Sequence, residues 1–219
     1  MSFLPTVPKP NVLLLPLVGM VFFILFYIIA AISYPGGSHI LPDQIGFSFW
    51  NNYLCDLLDR YAINGELNSA RFVARTSLAV LCVSLLLLWA YLPGFFSVKS
   101  MNQKIMLWTG MASFVVTLFL TAKTHDSIVR IAGVFGAIAF ISCFIELFKA
   151  RHFKLFVFGL ICLLIFLGNF YIYETGSFLN TLPIFQKVTF VCCLIWFAFL
   201  NISFYRKLKS EDVKDAQHH

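Results

Sequence analysis

The sequence predicts an all-α polytopic membrane protein: a bundle of six transmembrane helices with an amphipathic helix in its one long loop. Three observations predict it. Of 219 residues, 60% are apolar and only 12% charged, where a soluble domain holds about 45–50% and about 25%. The apolar residues gather into runs of roughly 20, the length an α-helix needs to cross the hydrocarbon of a bilayer. The basic residues sit in the short segments between those runs, as topology signals do. Twenty-six Phe suit a surface facing lipid, because Phe needs no hydrogen-bond partner there. The mean hydropathy of +0.85 agrees.

The first span covers 12–32 and ends at Ser33-Tyr34-Pro35-Gly36-Gly37, where Pro and Gly stop a helix. Met1 to Pro10 lacks the basic start and small-residue cleavage site of a signal peptide, so this run reads as a retained span. The second span, 72–92, ends at Pro93-Gly94. The remaining spans cover 105–122, 128–148, 153–173 and 182–204, and a tail covers 206–219. Their short connections make consecutive helices antiparallel neighbours. His218-His219 has the look of a tag remnant and carries no chemistry here.

Lys9, Lys99, Lys104, Lys149, Arg151, Lys154, Arg206, Lys207 and Lys209 fall on one side of a six-span chain. The positive-inside rule makes that side cytoplasmic, with both termini there. The net charge of +6 is thereby accounted for without nucleic acid. Cys82, Cys143, Cys162, Cys192 and Cys193 lie in apolar runs and only Cys55 in a polar segment, so no disulfide framework is expected.

The outer side carries the loop 34–70. Between Phe47 and Tyr61, apolar residues recur at helical intervals, with Phe47, Phe49, Trp50 and Tyr53 close together and Asn51, Asn52, Asp56, Asp59 and Arg60 interleaved. That pattern predicts an interfacial amphipathic helix or a lid over the bundle mouth.

The ionisable residues inside or near spans point to a site. Arg71 and Arg75, Arg130, Lys187 with Gln186, Glu174 with Asn169 and Tyr173, and the pair His125-Asp126 all lie near the outer ends of their helices. Cations at such positions cost a few kcal/mol unless paired or solvated. Snorkelling and structural pairs with Asp126, Glu174 or Asp56 are one compensation. The other is a basic, water-filled cavity holding an anionic group, which the planar fork of Arg meets bidentately. The ligand-binding candidates are therefore Arg71, Arg75, Arg130, Lys187, Asn169, Tyr173, Glu174 and Asp56. His125 and Asp126 are the candidates for acid–base catalysis, since His titrates near neutrality. Against that, Asp126 also suits the N-terminus of the fourth span as a plain capping charge.

His39, Asp43, Asp56, His125 and Asp126 make a poor zinc site, because a catalytic zinc takes three protein ligands, mostly His, and only two His fall on the outer side. No metal and no cofactor is expected. Gly133 and Gly136, with Ala132 and Ala139, give the fourth helix a small face for close packing, and Glu146 beside Lys149 reads as a solvated pair at the cytoplasmic rim.

Several segments carry a family resemblance: Ser33-Tyr34-Pro35-Gly36-Gly37, Thr124-His125-Asp126, Tyr173-Glu174-Thr175-Gly176, Leu182-Pro183, Gln186-Lys187 and Trp196. In these the chain resembles a bacterial multispan family catalogued as domain of unknown function nine-nine-eight and, more distantly, the DRAM-like and GPI-remodelling membrane proteins. The resemblance implies a six-span bundle in the bacterial inner membrane with its polar layer on the outer side, and it implies no established reaction. The functional expectation is recognition of an anionic lipid headgroup or small anionic ligand in an outward-facing cavity, with membrane lipids as partners. The alternatives are a membrane hydrolase or transferase using His125 and Asp126, and a small-solute transporter or channel, which the missing internal repeat disfavours.

Overall fold

A computed structural model describes residues 8–120 and 124–217, the last three as backbone. Six α-helices follow one another: α1 (Leu14–Ile32), α2 (Arg71–Tyr91), α3 (Met101–Thr117), α4 (His125–Lys149), α5 (Phe153–Thr175) and α6 (Leu182–Gln217). Among the described residues no strand forms, and two isolated bridges, Gly36 with Ile45 and Tyr61 with Leu67, join parts of the long loop. Five helical stretches are long and apolar enough to cross a membrane: Pro10–Ile32, Arg71–Phe95, His125–Lys149, Phe153–Thr175 and Leu179–Lys214. The chain is an integral membrane protein. α3 has 17 residues, about 25 Å at about 1.5 Å per residue, just short of a full crossing. Its expected end at Ala122 lies outside the described residues, as do His218 and His219.

Cross-helix hydrogen bonds set the up-and-down order. Ser77 Oγ in α2 donates to the Phe23 carbonyl in α1 at 2.8 Å. Trp89 Nε1 at the end of α2 donates to the Met106 carbonyl near the start of α3 at 2.7 Å. Ser113 Oγ in α3 reaches the Ala132 carbonyl of α4 at 2.8 Å, and Trp196 Nε1 in α6 reaches the Leu155 carbonyl of α5 at 2.9 Å. The Trp89–Met106 and Ser113–Ala132 bonds join the late part of one helix to the early part of the next, as antiparallel neighbours require. α6 closes the ring against the 3-10 turn Pro10–Leu13 and α1. The loop 33–70 therefore caps one end of the bundle, and the basic segments gather at the other.

Lipid supplies no hydrophobic drive between helices, so close contact depends on shape and hydrogen bonding. Trp89, Phe140, Trp196 and Phe197 form the aromatic centre, with Trp196 and Phe197 rings 5.2 Å apart. Gly110 lies directly against the Trp89 indole, where any Cβ would overlap the ring. The faces turned away from the centre are apolar and exposed, Ile131 and Val134 of α4 at 47% and 61%. Those are lipid-facing positions.

Three expectations change. First, 47–61 is not one helix: it holds turns and a 3-10 helix at Leu54–Leu58. Buried amides organise the segment in place of a helical ladder. Asn52 Nδ2 donates to the Gly37 carbonyl at 2.7 Å and to Asp56 Oδ2 at 2.9 Å, while its Oδ1 accepts from Ser48 N and Gln44 Nε2. Asn68 Nδ2 collects the carbonyls of Leu57 and Asp59 at 3.2 and 3.0 Å, and its Oδ1 accepts from Ala70 N. Gly37, at φ +83°, makes the tight turn that brings its carbonyl to Asn52. A small core of Ala30, Tyr34, Leu57, Leu58, Ala62, Ala70 and Ala74 lies beneath.

Second, Glu146 is not a solvated rim residue. It is 4% exposed and accepts from Ser100 Oγ, Asn102 Nδ2 and Gln103 Nε2 at 2.8–2.9 Å, with Lys149 at 3.6 Å. It thus clamps the start of α3 to the end of α4. Third, the segment expected as a tail continues α6 to Gln217, with Lys207 bonded to the Phe95 carbonyl at 2.8 Å. At 36 residues, about 54 Å at the same rise, α6 outreaches the hydrocarbon and projects at the basic end.

Candidate functional site

The 3-10 helix Leu54–Leu58 is held over the mouth of the bundle by α6, α2 and α1. Gln186 Oε1 accepts from Leu54 N at 2.8 Å, and Tyr27 OH of α1 donates to the Leu54 carbonyl. Arg75 Nε of α2 donates to the Leu58 carbonyl at 3.0 Å. Lys187, 5% exposed, donates to the Asn52 carbonyl at 2.6 Å and to the Pro183 carbonyl at 2.9 Å. The rings of Phe47 and Phe49 lie 5.7 and 5.1 Å from its ammonium, within cation–π range. Phe49 and Trp50 project from the surface, at 55% and 63% exposure.

Below this cover lie two adjoining chambers. The outer one, about 660 Å³, is lined by carboxylates (Asp56, Asp59, Asp126), imidazoles (His39, His125), phenols (Tyr53, Tyr173) and amides (Asn169, Asn180, Gln186). The inner one, about 360 Å³, is walled mainly by apolar side chains of α2 to α6, among them Leu81, Phe140, Phe190 and Phe197. Cys55, Leu58, Leu120, His125, Val129, Phe166, Asn169 and Gln186 line both, forming a collar between them. Both volumes fall in the range of about 300–1,000 Å³ typical of small-molecule sites. Ala132, Gly133, Gly136 and Ala139 line the inner chamber. A Cβ on Gly133 would meet its nearest neighbour, Phe166, only at 3.8 Å, so the small face of α4 leaves space as well as permitting contact.

Of the residues expected to form a site, Asp56, His125, Asp126, Asn169 and Tyr173 come together around the outer chamber. The cations do not join them. Arg130 forms a two-pronged ion pair with Glu174 at 3.0 and 3.2 Å, exposed at the bundle edge. Arg71 lies over the Phe72 ring at 4.4 Å, and Arg75 and Lys187 serve loop carbonyls as described. Among the described residues no Lys or Arg lines either chamber. The expected basic, anion-holding cavity is therefore corrected: each of these cations has its own separate protein partner, and Glu174 is spent on Arg130.

His125 Nδ1 lies 3.0 Å from Asp126 Oδ1, and Tyr173 OH donates to the same oxygen. With Nδ1 carrying the proton toward Asp126, Nε2 is left as a base. Asp126 also sits in the first turn of α4, where the helix dipole favours a carboxylate. Asn169 Nδ2 bonds Thr189 Oγ1 at 3.4 Å across α5 and α6. In the loop, burial and the neighbouring carboxylates Asp56 and Asp59 push the Cys55 thiol up to about 12. Burial also raises Asp56 above the ordinary carboxylate value, opposed by its bonds from Asn52 and the Tyr53 backbone. The lining contributed by Cys55 and Asn180, and by Phe166 and Phe170 of α5, has no signal in the sequence. Gln186, a polar residue inside an apolar run, was marked in advance beside Asp56, His125, Asp126, Asn169 and Tyr173. No protein-family model matches the chain and no curated protein matches it.

Proposed function

We propose that this membrane protein holds one amphiphile at the loop end of its bundle, the headgroup in the outer chamber and a hydrocarbon chain in the inner one. The observation that carries the reading is the junction of a polar chamber with an apolar one across the collar of His125, Asn169 and Gln186. A purely aqueous solute has no use for the apolar chamber, and an annular lipid has no use for an interior one. At about 30 Å³ for each water-sized group, 360 Å³ holds roughly twelve such groups, which suits a single chain. The basic segments at the far end favour an orientation with that end and both termini in the cytoplasm, so that the cavity opens outward.

The test is native mass spectrometry of the purified chain beside Gly133→Leu. The leucine has room at its Cβ and puts four carbons into the path of the chain in the inner chamber, and losing a helical Gly favours the fold by roughly 0.5–1 kcal/mol. The reading expects an amphiphile on the wild type and none on a Gly133→Leu protein of equal or higher melting temperature. Equal occupancy of both proteins would refute it.

A second reading, hydrolysis of the held amphiphile, is favoured by His125 at the collar, where the bond between chain and headgroup would lie. Water attacks the ester carbonyl, His125 Nε2 takes its proton and returns it to the departing alkoxide, giving acid and alcohol. Release of fatty acid from ester lipids by wild type and not by His125→Ala tests it; equal release refutes it.

A further inference from the structure

The inner chamber ends on three rings. Trp89 of α2, Phe140 of α4 and Phe197 of α6 all line it, and their ring centroids stand 6.3, 6.1 and 5.8 Å from one another, so no chain passes between them. Toward the basic end, the next turns of α4 and α6, at Phe144 and Leu200, are packed into the core and take no part in the described lining. The rings are also braced. The Trp89 indole is bonded to the Met106 carbonyl and has Gly110 against it. Phe140 packs on the Trp196 ring at 5.1 Å, and that indole is bonded to the Leu155 carbonyl. A close-packed interior of this kind yields little to an incoming group. The chamber is a blind well with a firm floor.

Its depth and its volume give the same length. Eleven residues separate the collar from the floor on two helices, Val129 from Phe140 on α4 and Gln186 from Phe197 on α6. That is about 16 Å at about 1.5 Å per residue. An extended alkyl chain, a zigzag of bonds of about 1.5 Å, advances about 1.3 Å per carbon, so the well is about twelve carbons deep. Its 360 Å³ takes roughly the same number of carbon-sized groups. Resting on the proposed amphiphile site, we infer that the inner chamber gauges chain length: it takes a single alkyl chain of about twelve carbons, and the floor of rings turns longer chains away. A longer chain lifts its headgroup out of the outer chamber or forces the rings apart, and either loses binding steeply.

The probes are alkyl glycerol monoethers with chains of eight to eighteen carbons, which share one neutral headgroup that water does not cleave. They are offered at equal mole fraction to the full chain in a sterol-based detergent, which has no alkyl chain of its own, and occupancy is read by native mass spectrometry. The inference expects occupancy to peak at about ten to fourteen carbons and to fall about tenfold or more by eighteen. An apolar surface without a floor holds longer chains at least as well, because each added methylene buries more area. Occupancy that stays level or keeps rising to eighteen carbons therefore overturns the inference and leaves the amphiphile site standing. Phe140→Ala removes one ring from the floor and should move the peak about two to four carbons longer, the remaining space being lost to partial collapse. Ala137→Leu adds three carbons to the lining one turn above Phe140 and should move the peak about two or three carbons shorter. A peak that stays in place in either folded variant overturns the inference. If Phe140→Ala does not fold, the shift in Ala137→Leu decides alone. If no chain length binds wild type, the amphiphile site itself fails.

Discussion

Replacing Lys187 with Met removes the ammonium that ties the long loop to α6 but keeps the length of the side chain. Two bonds are lost, to the Asn52 carbonyl at 2.6 Å and the Pro183 carbonyl at 2.9 Å, and the Asn52 carbonyl is left without that donor in a buried setting. A bond from a charged donor contributes about 1.5–3 kcal/mol. Relief from burying the charge returns part of that. Local opening of the loop should therefore become easier by about 2–4 kcal/mol, or about 30- to 700-fold in the opening equilibrium. Cys55 reports the opening. In the closed state its thiol is half-buried and pushed up to about 12, and thiolate is the reactive form. When closing is fast, labelling follows the population of the open state. Maleimide modification of Cys55, followed by peptide mapping, should accelerate within that range for Lys187→Met while the bundle stays folded. An unchanged rate would refute the claim that Lys187 holds the cover over the cavity.

Asp56 gives a pH signature. Its folded value is raised, first by burial, so the native state binds the proton more tightly than the unfolded chain, and stability falls as pH rises from about 4 to the raised value, then levels off. Melting curves across this window should show that fall in wild type and its loss in Asp56→Asn. Glu146→Ala leaves the three donors from Ser100, Asn102 and Gln103 without their carboxylate and should cost about 3 kcal/mol or more in denaturant titration, with Glu146→Gln restoring part. Asn201 is fully buried in α6 with neither amide atom bonded among the described residues, so Asn201→Leu should raise the melting temperature, by about 1–3 kcal/mol of stability; a fall would show that the amide has a partner.

The helices were legible in the sequence because a bilayer crossing imposes length and hydropathy together, and Pro35-Gly36-Gly37 and Pro93-Gly94 mark where two of them stop. The long loop was not. Its apolar spacing imitates a helix, but the buried amides of Asn52 and Asn68 bind backbone carbonyls well away in sequence, and periodicity carries no trace of such pairing. The grouping of His125, Asp126, Asn169 and Tyr173 was legible, since all lie near the same end of α4 and α5. The basic cluster was misread for a physical reason: depth along a helix is visible in sequence, but the face a long side chain selects is not. Arg75 and Lys187 turned to loop carbonyls and Arg130 to Glu174. Glu146 was misread in the same way, its ordinary i,i+3 neighbour Lys149 concealing donors from Ser100, Asn102 and Gln103 at the start of α3.

The account stands or falls on whether a hydrocarbon chain lies inside the bundle. An amphiphile with a diazirine near the end of its alkyl chain, photolysed in complex with the protein and mapped by mass spectrometry, tests that directly. α4 carries both answers: Val129, Gly133, Gly136 and Phe140 face the inner chamber, while Ile131, Val134 and Ile138 face lipid. The account predicts adducts on the first set and on Phe166 and Phe190 across the chamber, abolished in Gly133→Leu. Adducts confined to Ile131, Val134 and Ile138 would contradict it.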